Sequence, residues 1–240
     1  MTLARYSVLR AVAVLALSSA PGWCTLPSAQ ETLNGYLQRD VASCRDAEQR
    51  MDVEIEASLP TLQKRGSMKG LKVVSKSGEV AYRFLRFTGD KLVKSDVIVR
   101  FLTAEAHPPD HSSDVAITAK NYKFHFLRTE DYRGSTAYVF QVRPRKKRVG
   151  LYKGELWLDA ASSTPVRESG ELVKSPSIFI GRVQFVREYS ADDPQLASCG
   201  QPERMSINVQ TRIVGDADLV VRQHSAASDW VETVAEAPAN

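Results

Sequence analysis

The chain has 240 residues, of which 43 % are hydrophobic and 25 % charged, so it can bury a core and does not have the composition of a disordered protein. Its length favours a single domain. Its net charge of +4 is too small to indicate a nucleic-acid-binding protein, which usually has a concentrated basic face.

The first residues contain the three parts of a secretory signal peptide. Arg5 and Arg10 are followed by an apolar run at 11–17 and by small residues at 18–20. The run is shorter than the roughly 20 apolar residues that span a bilayer. We therefore expect residues 1–24 to be removed on export of a bacterial protein to the periplasm. The sequence leaves the cleavage point open among Ala20, Gly22 and Ala29.

The chain has three cysteines, Cys24, Cys44 and Cys199. Cys24 is a poor candidate for a lipid anchor, because Pro21 and Trp23 occupy the places where a lipoprotein signal has leucine and a small residue. If cleavage removes Cys24, two cysteines remain in an oxidising compartment, which favours a Cys44–Cys199 disulfide. The alternative is two separate thiols that do not meet.

Residues 30–50 have the pattern of an amphipathic helix. Their apolar side chains recur at helical spacing, at Leu33, Leu37, Val41 and Cys44. From Met51 to Leu59 the period changes to two, with polar residues between apolar ones, which is typical of a half-buried strand. The sequence therefore predicts one helix followed directly by a strand.

Nearly every segment from there to Arg222 also alternates, and turn residues separate the segments. The predicted strands lie near 71–73, 80–87, 93–101, 122–126, 137–142, 151–159, 165–173, 182–189, 205–214 and 218–222. A slip of phase at Leu85 indicates a bulge. Residues 103–120 interrupt the series and are predicted to be a loop, to which 115–120 can add a helical turn.

Short strands joined by tight turns favour an antiparallel meander. A meander of about ten or eleven strands must curl, because twist accumulates and free edges are a liability. The sequence therefore predicts a mainly β (α+β) fold, a strongly curved antiparallel sheet or half-barrel with the N-terminal helix against its concave face. This domain would span residues 30–224, and residues 225–240 would be a disordered tail.

The layout and several stretches of the chain resemble the LolA/LolB-like superfamily of bacterial envelope proteins, in particular exported outer-membrane lipoprotein-sorting proteins. The stretches that carry the resemblance are 121–124, 138–144, 151–159, 165–167, 173–177 and 183–189, within residues 31–223. The most characteristic element is a strand ending at Trp157-Leu-Asp159, a short turn, and Pro165-Val-Arg167. The resemblance implies a half-barrel with a helix and a lid over an apolar cavity, and a role in lipid or lipoprotein handling.

The lid is the point at which this chain departs from that family. Only residues 103–120 are available for a lid in the middle of the chain, and they include the pair Pro108-Pro109. The departure argues against a fully enclosed cavity.

Aromatic and aliphatic side chains in the strand pattern are candidates for an apolar ligand site on the concave face. They are Val53, Ile55, Tyr82, Phe84, Phe101, Tyr122, Phe124, Phe140, Leu156, Leu158 and Phe185. Such a face could hold an acyl chain, because each buried methylene contributes about 0.8 kcal/mol. The alternative is an ordinary core filled by the helix and by these side chains themselves.

A basic turn between two predicted strands is the second candidate site. It contains Arg143, Arg145, Lys146, Lys147 and Arg148. Near a cavity these cations could contact anionic headgroups or a partner. Otherwise they form a solvated turn that discourages aggregation of sheet edges.

No catalytic or metal-binding pattern stands out. His107, Asp110 and His111 lie close together, but two prolines extend the segment and no third histidine is near, so a polar loop is favoured over a metal site. The common nucleophile, zinc-peptidase and phosphate-loop motifs are absent from the sequence. We therefore predict neither an enzyme nor a cofactor.

These observations predict a monomeric periplasmic carrier that shelters lipid or lipoprotein acyl chains in an apolar half-barrel cavity and contacts membranes transiently. The alternative is a scaffold or signalling module of the same fold that binds a protein partner in the cell envelope. An open cavity would favour the carrier, and a filled one the module.

Overall fold

A computed structural model describes residues 26–39, 47–107, 115–193, 196–197, 199–212 and 215–226 of the chain. Ten strands lie in these residues: β1 (Gln49–Leu59), β2 (Lys64–Val74), β3 (Val80–Gly89), β4 (Tyr122–Tyr132), β5 (Ser135–Pro144), β6 (Tyr152–Asp159), β7 (Pro165–Leu172), β8 (Ile180–Glu188), β9 (Arg204–Thr211) and β10 (Asp216–Ser225). The helical segments are α1 (Ala29–Gln38), a 3₁₀ turn at Pro60–Leu62, a π-helical stretch at Val93–Val99 and α2 (Arg100–Ala106). The last two are continuous, and together we call them the β3–β4 helix.

The strands form one antiparallel sheet in the order β3-β2-β1-β10-β9-β8-β7-β6-β5-β4. Strands that follow one another in the chain are neighbours, except β3 and β4, which lie at the two free edges. The pairing of β1 with β10 joins the two ends of the meander. The β3–β4 helix therefore lies in the one connection that runs between the edges of the sheet.

The sheet curves between β6 and β7, where Gly154 and Gly170 oppose each other. A Cβ on Gly154 would lie 1.9 Å from the carbonyl oxygen of Ser169, and one on Gly170 would lie 2.5 Å from the ring of Tyr152. Only glycine allows this close approach. Since a Cβ at either position would point to the face that carries the buried residues, that face is concave, and the predicted curved sheet is confirmed.

The core divides into two clusters on this concave face. The β3–β4 cluster, beneath the β3–β4 helix, contains Val53, Ile55, Ala57, Leu59, Met68, Val93, Ile98, Leu102, Ala217, Leu219 and Val221. The α1 cluster, beneath α1, contains Leu33, Tyr36, Tyr122, Phe140, Val142, Leu151, Tyr152, Leu156, Leu158 and Phe185. Ile207 of β9 packs against both, so the clusters adjoin in the middle of the sheet.

Residues 93–101 are helical, so the strand predicted there is wrong. The prediction relied on β-branched residues such as Val99, which favour strands when packing does not decide. The same segment also carries a helical stripe that packs on the sheet, at Val93, Val97, Ile98, Phe101 and Leu102. Burial of this stripe favours the helix. Residues 103–106, predicted to be a loop, continue it.

α1 begins at a capping box and is shorter than predicted. The Ser28 hydroxyl accepts from the backbone N–H of Glu31 at 3.3 Å, and the Glu31 carboxylate accepts from the backbone N–H of Ser28 at 2.7 Å. The helix ends at Gln38, and residues 49–50 already belong to β1. The intervening residues 40–46 of the predicted helix lie outside the described residues.

The bulge predicted from the slip of phase is confirmed in β3. Phe84 and Leu85 together oppose the single residue Gly70 of β2. Phe84 has a left-handed φ of 55° there, and 47 % of its surface is exposed. The bulge therefore turns a large aromatic side chain outward at an edge of the sheet.

Candidate binding site on the concave face

The predicted ligand-binding residues lie in two groups, with one exception. In or against the β3–β4 cluster are Val53, Ile55, Tyr82 and Phe101. In or against the α1 cluster are Tyr122, Phe124, Phe140, Leu156, Leu158 and Phe185. Phe84, at the exposed bulge, belongs to neither cluster. The structure thus places most of the predicted apolar face beneath two helices rather than around one open cavity.

A buried ion pair ties the β3–β4 helix to the sheet. Lys72 of β2 is 2 % exposed, and its ammonium donates to the carboxylate of Glu105 in α2. The hydroxyl of Tyr82 donates to the other oxygen of the same carboxylate. Burial, together with the Glu105 charge, raises the pKa of Tyr82 above its usual value, so its phenol stays a donor.

Two amide side chains complete this network. The Lys72 ammonium also donates to the side-chain oxygens of Gln201 at 3.3 Å and Gln223 at 3.4 Å. The amide nitrogen of Gln223 in turn donates to the Gln201 oxygen at 3.4 Å. The buried ammonium therefore has a carboxylate and two carbonyl oxygens around it, as a buried cation requires.

A second ion pair, with a buried carboxylate and a partly exposed guanidinium, lies beneath α1. Glu168 of β7, with a side chain 3 % exposed, accepts from the Arg187 guanidinium of β8 at 3.1 Å and from the Tyr189 hydroxyl at 2.9 Å. Burial and the Glu168 charge raise the pKa values of Tyr36 and Tyr152, so both remain neutral. Desolvation alone would lower the pKa of Arg187, but the charge of Glu168 and the hydrogen bond to it outweigh this effect and raise the pKa.

A cavity of about 220 Å³ separates the two ion pairs. Glu105 and Arg187 lie on its walls with Gln201 and Gln223, and Met205 and Val221 provide apolar surface. Residues 200–202, in the loop before β9, close it on one side. This cavity is the candidate site, because it lies on the concave face, adjoins the β3–β4 cluster and carries groups of both charges.

A larger, open groove of about 860 Å³ lies on the opposite face, across β5 to β10. It is lined by two cross-strand rows of side chains that alternate with the buried ones, and one of these rows includes the small residues Ser169 and Ser206. Of the described residues predicted to bind the ligand, Phe185 alone contributes to its lining. Much of its accessible surface is apolar, but the groove lies on the face opposite both core clusters and is open to solvent, so it would leave much of an acyl chain in contact with water.

Arg145 of the basic turn has a structural role. The Arg145 guanidinium donates to the carbonyl oxygens of Ala119 and Tyr122 at 2.9 and 3.2 Å, and so braces the segment before β4. Lys146 and Lys147 are exposed. The remaining two members of the predicted basic site are also exposed, at Arg143 and Arg148.

Cys199 is disulfide-bonded. Both possible partners, Cys24 and Cys44, lie outside the described residues, so the pairing with Cys44 stays a prediction. The Asp110 and His111 of the polar loop lie outside them as well. Among the residues that the structure describes, no group of three His, Cys, Asp or Glu side chains could hold a metal ion. Within the same residues, no helix has the length and apolar content needed to cross a membrane.

The charged residues around the cavity were not predicted from the sequence, although a signal was available. In β8 and the residue directly after it, Phe185, Arg187 and Tyr189 alternate with polar or solvent-facing positions, so a charged residue occupies an otherwise apolar phase. Glu168 likewise points to the concave face of β7, since it opposes Arg187. A charge in the buried phase of a strand needs a partner. That reasoning identifies both residues, but it does not identify the partner of Lys72.

No family model matches the sequence, and no curated protein matches it. Among solved structures, the chain is similar to a LolA superfamily protein from Nitrosomonas europaea, with 17 % identity and a TM-score of 0.38 over 83 % of this chain and 92 % of that one. It is also similar to a putative outer membrane lipoprotein-sorting protein domain from Vibrio parahaemolyticus, with 12 % identity and a TM-score of 0.33 over 86 % of this chain and 99 % of that one.

A third similarity is to the complex structure of Pseudomonas aeruginosa MucA/MucB, with 10 % identity and a TM-score of 0.27 over 82 % of this chain and 100 % of that one. The matches include a member of the superfamily that the sequence resembles.

Proposed function

We propose that this chain is a periplasmic carrier or binding protein for lipid or lipoprotein acyl chains, which it shelters on the concave face beneath the β3–β4 helix. The activity is transfer, without a chemical step. The supporting observation is the position of that helix. Because it lies in the connection between the two free edges, it can leave the sheet without breaking any strand pairing.

The β3–β4 helix is built as a removable cover. Its inner side chains Val93, Ile98 and Leu102 are at most 6 % exposed, so an acyl chain that replaces them would bury comparable apolar surface. Seven of its residues, Val93–Val99, are π-helical. This geometry is rare in proteins, and where it does occur it often marks a functional site. The apolar face therefore has a cover with an unusual backbone and one buried ion pair to hold it.

Both free edges of the sheet carry exposed apolar pairs that suit entry of an acyl chain. Phe84 and Leu85 of β3 are 47 and 37 % exposed, and Phe126 and Leu127 of β4 are 42 and 38 % exposed. Each pair includes a residue at an irregularity in strand pairing. We expect an acyl chain to cross one of these edges when the helix is displaced.

The basic turn would orient the protein at an anionic surface. Lys146 and Lys147 are exposed, and each cation near a charged membrane contributes about 1 kcal/mol. The double substitution K146E/K147E should weaken binding to vesicles of anionic phospholipid, and the difference should shrink as salt rises. If the unaltered protein and the double variant bind the vesicles equally, the basic turn does not orient the protein at a membrane.

Native mass spectrometry of the protein purified from a bacterial periplasm without detergent tests the carrier directly. We expect a co-purifying mass that organic extraction identifies as phospholipid or acyl peptide. A mass of the protein alone, unchanged by added lipids, would favour the alternative, which is an envelope module that binds a protein partner. The side chains that fill the concave face are an argument for this alternative. The same spectrum tests the proposed Cys44–Cys199 disulfide by a two-hydrogen deficit.

Two valines of the β3–β4 helix provide a matched test of the binding face. Val97 packs against the β3–β4 cluster, whereas Val99 is 42 % exposed. V97D should weaken binding of a fluorescent fatty acid about ten-fold or more, because a carboxylate would lie beneath the cover. V99D should bind as the unaltered protein does. If both variants fold and bind the fatty acid equally well, the acyl chain does not lie beneath this helix.

A further inference from the structure

The cavity between the two ion pairs is too small for an acyl chain and has the dimensions of a polar head. Its volume of about 220 Å³ is below the roughly 300–1,000 Å³ of pockets that bury a whole small ligand. Val221, which contributes apolar lining, belongs to the β3–β4 cluster, and Met205 packs against that cluster. A ligand whose chain lies beneath the β3–β4 helix would therefore reach the cavity with its head.

The groups on the cavity walls offer more hydrogen-bond donors than acceptors. Arg187 donates to Glu168 through Nη1, and among the described residues its Nε and Nη2 have no partner. Gln201 accepts two hydrogen bonds through its oxygen, but its amide nitrogen donates to no described residue. Both oxygens of Glu105 already accept, one from Lys72 and one from Tyr82. Each of these oxygens keeps a further lone pair, but the unused N–H groups of Arg187 and Gln201 outnumber the lone pairs left on Glu105 and Gln223.

The guanidinium is also accessible from the cavity. The Arg187 side chain is 36 % exposed, although it lies on the concave face, and it is one of the groups that line the cavity. Its fork of N–H groups suits the paired oxygens of a carboxylate or phosphate. Since Lys72 balances Glu105 and Glu168 balances Arg187, the walls carry no net negative charge that would repel an anion.

We propose that this cavity is an oxyanion subsite, in which Arg187 and Gln201 donate to the carboxylate or phosphate at the head of the apolar ligand. This inference rests on the proposed function, since the chain of that ligand would occupy the face beneath the β3–β4 helix. It adds that the protein recognises the head of the ligand as well as its chain.

Three probes with the same twelve-carbon chain test the subsite: dodecanoate, dodecyl phosphate and dodecanol. Isothermal titration should show that the better of the two anions binds about ten-fold or more tightly than the alcohol. A preference for dodecanoate would indicate a fatty-acid head, and a preference for dodecyl phosphate a phospholipid head. If all three probes bind equally tightly, the proposed oxyanion subsite is wrong, but the proposed carrier function is still supported. If none binds, both are wrong.

Two variants test the residues named. Q201E places an anion in the cavity and should abolish the preference for the two anions over dodecanol. The matched control is Q210E, because Gln210 is an exposed residue of β9. E168Q/R187Q removes the guanidinium together with its buried partner, so no unpaired charge is left, and it should also abolish the preference. Retention of the preference in both cavity variants would overturn the proposal.

Discussion

The two halves of the sheet bury their apolar faces under different helices, and their buried ion pairs join different elements. In the β3–β4 half, Lys72 comes from the sheet and Glu105 from the helix that covers it. In the α1 half, Glu168 and Arg187 oppose each other on neighbouring strands. The first pair therefore secures a cover to the sheet, whereas the second secures two strands to one another.

α1 is attached to the sheet by neutral groups instead. The hydroxyl of Thr32 donates to the carbonyl oxygen of Ala160 at 3.2 Å. The hydroxyl of Tyr138 donates to the carbonyl oxygen of Pro27 at 2.8 Å. These bonds do not depend on the Glu168–Arg187 pair. The comparison indicates that breaking the pair in the α1 half affects the whole sheet, and that breaking the pair in the β3–β4 half affects its cover.

The largest effect is expected from R187M. It leaves the Glu168 carboxylate, 3 % exposed, with only the Tyr189 hydroxyl as a partner. Because the Arg187 side chain is itself 36 % exposed, solvent screens part of the pair, and the free energy of unfolding should fall by about 2–3 kcal/mol. Urea unfolding followed by circular dichroism measures this loss. The control E168L/R187M replaces both partners and should recover most of it. A double variant no more stable than R187M would show that the pair is not the cause.

A smaller and more local effect is expected from E105Q. It leaves the Lys72 ammonium buried with neutral acceptors only, which should lower the local stability of the β3–β4 helix by about 2 kcal/mol. Hydrogen exchange should accelerate at the amides of Val93–Ala106 and not at those of α1.

D96N is the matched control on the same helix. Asp96 pairs with Arg100 at 3.4 Å, but their side chains are 44 and 77 % exposed, and such surface pairs contribute only about 0–1 kcal/mol. Equal exchange rates in E105Q and D96N would contradict the role of the buried pair in holding the cover.

The smallest effect is expected at the capping box of α1. The hydroxyl and backbone N–H of Ser28 lower the pKa of Glu31 below its usual 4.5. Because the folded pKa is the lower one, Glu31 stabilises α1 above its unfolded pKa, and this contribution is lost as pH falls through the folded pKa. Hydrogen exchange of the α1 amides should show this acid dependence in the unaltered protein and lose it in E31Q. If E31Q shows the same acid dependence as the unaltered protein, Glu31 is not its cause.

Most strands could be predicted from the sequence because alternation of apolar and polar residues is a local property. The segment Met51–Leu59 belongs to β1, and the segment 165–173 matches β7 to within one residue. The bulge at Leu85 was visible for the same reason, since an extra residue shifts the phase. Alternation gave the wrong prediction for the segment 93–101. Its valines fit a strand and a helix equally well, and only their contact with the sheet decides between the two.

The sequence by itself determined where most strands and turns lie, where β3 bulges and that the sheet must curl, because each follows from residues close together in the chain. Tertiary structure alone decided that residues 93–106 form a cover, that β1 pairs with β10, and that Lys72 meets Glu105. Those two residues are 33 positions apart, and the carboxylate reaches the ammonium only when the helix folds back over the sheet. Local pattern fixes which face a side chain takes, but the partner of a buried charge depends on how distant segments are brought together.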